Sequence, residues 1–91
     1  TEAVIDASGL AGTLRARNWL PGDRIRPFGM TGSKKVHDIF VDAKVPRPAR
    51  ERIPILVDDE KLIWVAGLVL TDSVRVTDDT RERISIEIRP A

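Results

Sequence analysis

Only one stretch of this chain has a helical period. The rest is cut by turns into short alternating or apolar runs, and that pattern confines it to a small α+β fold. Val36, Ile39, Phe40 and Ala43 stand at i, i+3, i+4 and i+7, one apolar stripe of an amphipathic helix of about ten residues. Thr31 or Ser33 can cap this helix, which places Lys34 and Lys35 in its first turn. Pro46 and Pro48 end it, and Pro48–Arg52 can restart a single turn that gathers Arg47, Arg50 and Arg52.

The other segments read as strands and turns. Ala3–Asp6 and Thr13–Asn18 are β-prone runs separated by a loose turn holding Gly9 and Gly12. Leu14-Arg15-Ala16-Arg17 alternates and turns two arginines to solvent, as does Arg24-Ile25-Arg26. Pro21-Gly22-Asp23 suits a type II turn, because proline presets one φ and glycine supplies the positive one. Ile55-Leu56-Val57 and Leu62–Ala66 flank the acidic tip Asp58-Asp59-Glu60-Lys61 as a hairpin, and their unbroken apolar character predicts cover on both faces. Gly67 fits a bulge or bend, and Val74–Val76 a short strand. Arg83–Arg89 alternates, with its isoleucines facing inward. The expected architecture is α+β: a mostly antiparallel sheet or partly open barrel, one main amphipathic helix and a basic, glycine-containing loop.

Ninety-one residues make a single domain, residues 1–91, with little room for an enclosed catalytic cavity. Because Thr1 stands where a strand pattern is already under way, a domain of a longer protein is expected. The apolar run Leu62–Leu70 is about half of what a membrane span needs, so no membrane partner is expected. Having no cysteine fits a reducing compartment, and the cytoplasm is the expected location.

The net charge of +1 conceals a strong segregation. Between Thr13 and Arg52 ten basic residues face only four acidic ones, leaving +6, while the first twelve residues carry −2 and Ile53–Ala91 carry −3. A concentrated cationic segment in a near-neutral protein favours a polyanionic partner. Within it, Gly29-Met30-Thr31-Gly32-Ser33-Lys34-Lys35 offers glycine amides and lysine charge to a phosphate. It lacks P-loop spacing. It does spell a GxxG like that of KH domains, or else it is an ordinary helix-entry loop. Trp19 could stack on a base or form the core edge, and Trp64 is core. His37 is a lone surface histidine without metal-binding company. Asp58-Asp59-Glu60 and Asp78-Asp79 read as solvated turn residues.

The residue order from Arg17 onward is also informative. Arg17, Pro21-Gly22-Asp23-Arg24, Pro27-x-Gly29, Gly32-x-Lys34-Lys35 and Asp38-x-Phe40-x-Asp42-x-Lys44-x-Pro46 follow one another. Arg50, Pro54, Leu56, Trp64-Val65-x-Gly67 and Thr77-x-x-Thr80 complete the series. This order resembles the C-terminal substrate-binding domain of bacterial tRNA(Ile)-lysidine synthase, across residues 13 to 80.

The resemblance implies a division of labour. A separate N-terminal domain with an ATP-pyrophosphatase loop would adenylate the wobble cytidine of an isoleucine tRNA, using ATP and Mg²⁺, before lysine attacks to give lysidine. The C-terminal domain would hold that tRNA toward its acceptor-stem end. The resemblance makes Arg17, Arg24, Lys34, Lys35, Lys44 and Arg50 the candidate RNA contacts, with Asp23 orienting Arg24 or the turn. No Ser-Gly-Gly-x-Asp-Ser loop is present, so this chain would bind rather than catalyse and would need no cofactor of its own. Val69 stands where relatives often carry a basic residue, two positions after the glycine of Trp-Val-x-Gly. The expected partners are the tRNA and the catalytic domain of the same protein. The rival expectation is a protein-docking module whose basic face pairs with an acidic surface, with Trp19 or Phe28 as anchor. An enzyme acting on a phosphorylated metabolite lacks an evident base–nucleophile pair.

Overall fold

The computed structural model describes residues 1–89. Eight strands and two helices follow in the order β1 (Glu2–Asp6), β2 (Arg15–Arg17), β3 (Arg24–Ile25), β4 (Lys34–Lys35), α1 (Val36–Asp42), α2 (Arg47–Arg50), β5 (Ile55–Val57), β6 (Leu62–Val65), β7 (Val69–Leu70) and β8 (Arg83–Glu87). Single 3₁₀ turns lie at Ala7–Gly9 and Asp72–Val74. The α+β class with antiparallel pairing holds, and the pairing is divided among three sheets. A four-stranded sheet runs in the order β2-β5-β6-β7, while β1–β8 and β3–β4 are two-stranded ribbons.

The hairpin β5–β6 divides the molecule. Its residues are buried from both sides, as the continuous apolar run requires. On one face Ile55, Val57 and Val65 pack with Ile25, Val36, Ile39 and Phe40, so α1 and the β3–β4 ribbon close this core. On the other, Leu56, Ile63 and Trp64 pack with Ile5 and Val74, and Ile84 and Ile86 of β8 cover them. A register shift between Leu56 and Val57 allows Ile63 and Trp64 to serve the same core. Gly67, with φ +77°, makes the bend between β6 and β7.

Three local expectations are corrected. The helix starts at Val36 and spans seven residues, so Lys34 and Lys35 precede it as strand β4 and do not occupy its first turn. Neither Thr31 nor Ser33 caps it; Lys35 is the N-cap and makes no side-chain cap bond. Pairing with β3 draws these lysines into the extended conformation, and the Val36 N–H is taken by the Asp23 carbonyl at 2.9 Å. The expected strand at Val74–Val76 is instead the end of the Asp72–Val74 turn, which packs on Ala7–Gly9. A Cβ at Gly9 would lie 1.9 Å from the Ser73 carbonyl oxygen, so only glycine permits this approach.

Asp58 is the third correction. The acidic tip was expected to be solvated, yet Asp58 is buried. It accepts N–H bonds from Ala11, Glu60 and Lys61 at 2.8 Å each and pairs with the Lys61 ammonium at 2.7 Å. Burial pushes the carboxyl up, but the Lys61 ammonium and the three amides outweigh it and hold the group well below the usual carboxylate range. Asp58 thus ties the hairpin tip to the loop after β1. Asp78 and Asp79 are exposed turn residues, as expected.

Candidate nucleic-acid interface

The β3–β4 ribbon presents the cationic face. Its register pairs Arg24 with Lys35 and Ile25 with Lys34. Directly opposed residues of an antiparallel pair share a face, so burying Ile25 in the core turns Arg24 and Lys35 outward together. Two like charges opposed in this way destabilise a ribbon unless an anion lies between them. Neither has a carboxylate within ion-pair distance among the described residues. Arg24 is aimed by Ser33, whose hydroxyl accepts from Nε at 2.7 Å and whose carbonyl accepts from the guanidinium at 3.1 Å. Lys34 shares the Ile25 face and reaches across α1 to pair with Asp42.

The remaining candidates divide by how they are engaged. Arg17 forks onto Asp23 with bonds of 2.9 and 3.1 Å, and Asp23 also accepts the Leu20 N–H at 2.8 Å. The hydrogen bond to Asp23 holds the Arg17 pKa above its ordinary value. Asp23 is partly buried, which pushes its carboxyl up, but the Arg17 and Leu20 donors bring it down overall. Asp23 therefore fixes the turn and Arg17, not Arg24. Lys44 is exposed and adopts φ +57°, the left-handed region, as the residue following the helix C-cap. Its N–H bonds the Val41 carbonyl at 3.0 Å and the Val45 N–H bonds that of Phe40 at 2.9 Å, which is a Schellman closure of α1. Arg50 takes a structural place: it is buried, its guanidinium carbon lies 5.7 Å from the Phe40 ring centroid, and Nε donates to the Val45 carbonyl at 3.1 Å. Burial against Phe40 withdraws it from the exposed face on which it was expected.

Of the ten basic residues between Thr13 and Arg52, five are thus held within the molecule: Arg15 by Asp59, Arg17 by Asp23, Arg26 by Asp72, Lys34 by Asp42, and Arg50 by Phe40 and Val45. Arg24, Lys35, Lys44, Arg47 and Arg52 are exposed and make no ion pair with a described residue. Two adjoining grooves share Glu60, Lys61 and Leu62; one is lined by Arg15 and Arg17, the other by Arg24, Arg26 and Ser33. Lys61 therefore joins the two arginine groups across the hairpin tip. The three residues before it in sequence are acidic, and only folding shows it among the cations.

The glycine loop differs from the KH loop that its GxxG spells. It joins two strands rather than two helices, the Gly29 N–H is already given to Asp72 at 3.0 Å, and nothing crowds Gly32. P-loop spacing is absent from the sequence, and no three His, Cys, Asp or Glu side chains converge among the described residues. His37 is half-exposed beside Asp38. Trp19 stands edge-on to Phe40, centroids 5.5 Å apart, and is core edge rather than anchor. Phe28 is exposed. No described helix is long and apolar enough to cross a membrane.

Comparison with known proteins decides the family. The model of the TilS substrate C-terminal domain matches residues 14–87. The chain belongs to that family. It is 49% identical over 73 residues to tRNA(Ile)-lysidine synthase of Geobacter sulfurreducens, covering 80% of this chain and 16% of that protein. It is 42% identical over 88 residues to the synthase of Symbiobacterium thermophilum, covering 97% of this chain and 18% of that protein. A crystal structure of a TilS C-terminal domain superimposes with a TM-score of 0.78 at 33% identity, covering 92% of this chain and 65% of that one. The chain thus spans under a fifth of the length of these curated relatives.

Proposed function

We propose that this TilS C-terminal domain holds an isoleucine tRNA, on its acceptor-stem side, for a tRNA(Ile)-lysidine synthase. A separate catalytic domain, using ATP and Mg²⁺, attaches lysine to the wobble cytidine. The supporting observation is the Arg24–Lys35 pair, two outward cations opposed in register with no carboxylate in ion-pair range. A phosphate between them relieves their repulsion and accepts from the guanidinium that Ser33 aims. Lys44, Arg47 and Arg52 add unneutralised charge, while Arg17 and Lys34 are tied to carboxylates, Arg17 in the adjoining groove and Lys34 on the Ile25 side of the ribbon. Affinity in such a design comes from neutralised phosphates, and selectivity from the spacing of cations along an A-form stem.

The test is charge reversal. Arg24→Glu with Lys35→Glu weakens tRNA binding by more than tenfold, while Arg81→Glu with Arg83→Glu changes it little. Equal losses from the two double variants would remove the ribbon from the interface.

A further inference from the structure

The loop Pro27–Met30 exposes two large apolar side chains, Phe28 and Met30, each at 43%. Surface loops of this kind are commonly mobile. This one is clamped from several sides. One Asp72 carboxylate oxygen accepts the Gly29 N–H at 3.0 Å and the other accepts from Arg26 at 2.9 Å. The Asp72 N–H donates to the Arg26 carbonyl at 2.8 Å, and Arg26 Nε closes back on the Met30 carbonyl at 3.0 Å. Pro27 bridges Thr71 of the neighbouring segment, and Gly29 makes the tight turn at φ +75°. Ordering a loop costs conformational entropy, and here the order does not bury Phe28. It presents a rigid aromatic ring to solvent, which is what a preorganised contact needs.

The surroundings of the ring indicate what meets it. The Arg75 guanidinium lies over the Phe28 ring at 5.8 Å from its centroid. Phe28 lines an open groove with Leu68, Leu70 and Glu2. That groove adjoins the cationic one: Arg26 and Thr71 line the cationic side, and their neighbours Pro27 and Leu70 line the apolar side. A cationic track leading to an exposed aromatic is the arrangement that receives an unpaired nucleotide, its base stacking on the ring and its phosphate meeting the guanidinium. An acidic peptide would meet the same cations but stacks on the ring only where it carries an aromatic of its own, whereas every nucleotide has a base to stack. Resting on the tRNA-binding reading above, we infer that Phe28 is a stacking platform for an unpaired nucleotide where a single strand leaves the duplex held at Arg24 and Lys35. Arg75 holds that nucleotide's phosphate.

The test compares a blunt A-form RNA duplex with the same duplex carrying a three-nucleotide 3′ overhang that contains 2-aminopurine. Binding to the 91-residue chain is measured at low salt. The chain is expected to prefer the overhang by at least about fivefold and to quench the 2-aminopurine. Phe28→Ala and Phe28→Leu abolish both preference and quenching and leave blunt-duplex affinity unchanged; Phe28→Trp retains them. Circular dichroism establishes that each variant is folded. Equal affinity for both duplexes, or a preference that survives Phe28→Ala, overturns the inference while the tRNA-binding reading stands. Absence of binding to either RNA removes that reading and the inference together. Binding of an acidic protein fragment at Phe28 in place of the overhang likewise overturns it.

Discussion

Two single residues carry opposite consequences for stability and binding. Lys44 adopts a left-handed conformation that costs a non-glycine residue about 1 kcal/mol and closes α1 with its backbone. Lys44→Gly is therefore expected to stabilise the chain by about 1 kcal/mol, seen as a higher urea midpoint, while weakening RNA binding severalfold. A more stable variant with unchanged affinity would take Lys44 out of the contact set. Asp58 behaves differently, being buried and committed to one ammonium and three amides. Asp58→Ala leaves those donors unsatisfied and is expected to cost about 2–3 kcal/mol. Its carboxyl sits below the unfolded value, so its contribution is complete above pH of about 5 and is lost as pH falls through the ordinary carboxylate range toward the folded pKa. Denaturant titrations from pH 7 down to pH 3 should show declining stability in the parent chain and a shallower decline in Asp58→Asn.

At the scale of elements, glycines separate what packing requires from what a phosphate clamp would require. Gly9→Ala drives a methyl into the Ser73 carbonyl and is expected to cost about 2 kcal/mol, read as a lower denaturation midpoint. Gly32 has open space around it and no positive φ, so Gly32→Ala should change stability by less than about 0.5 kcal/mol and leave RNA affinity intact. A large affinity loss there would restore a backbone-clamp role for the loop. Much of this level was legible in the sequence: the β5–β6 hairpin, the alternation of β8 and the Pro21-Gly22 turn all follow from local pattern. The start of α1 was not, because the pairing of Lys34 and Lys35 with β3 is a tertiary contact that overrides local capping signals. The burial of Asp58 was hidden for a similar reason, since one of its donors, Ala11, lies 47 residues away.

For the whole molecule, the hairpin β5–β6 separates two cores, and the β3–β4 ribbon with α1 closes one of them. The cationic segment is thereby spread over a surface instead of a tail. Sequence located that segment but not its division into held and free charges. Which arginine meets a carboxylate depends on partners such as Asp59 and Asp72, far along the chain. The most direct measurement is a titration of the chain against isoleucine tRNA and a DNA duplex of matched length over a salt series. With Arg24, Lys35, Lys44, Arg47 and Arg52 free to meet phosphates, log K against log salt should fall with a slope of about −2 to −4, with tRNA bound more tightly than DNA throughout. Binding that ignores salt, or no binding of tRNA even at low salt, would contradict the assignment of this face to tRNA.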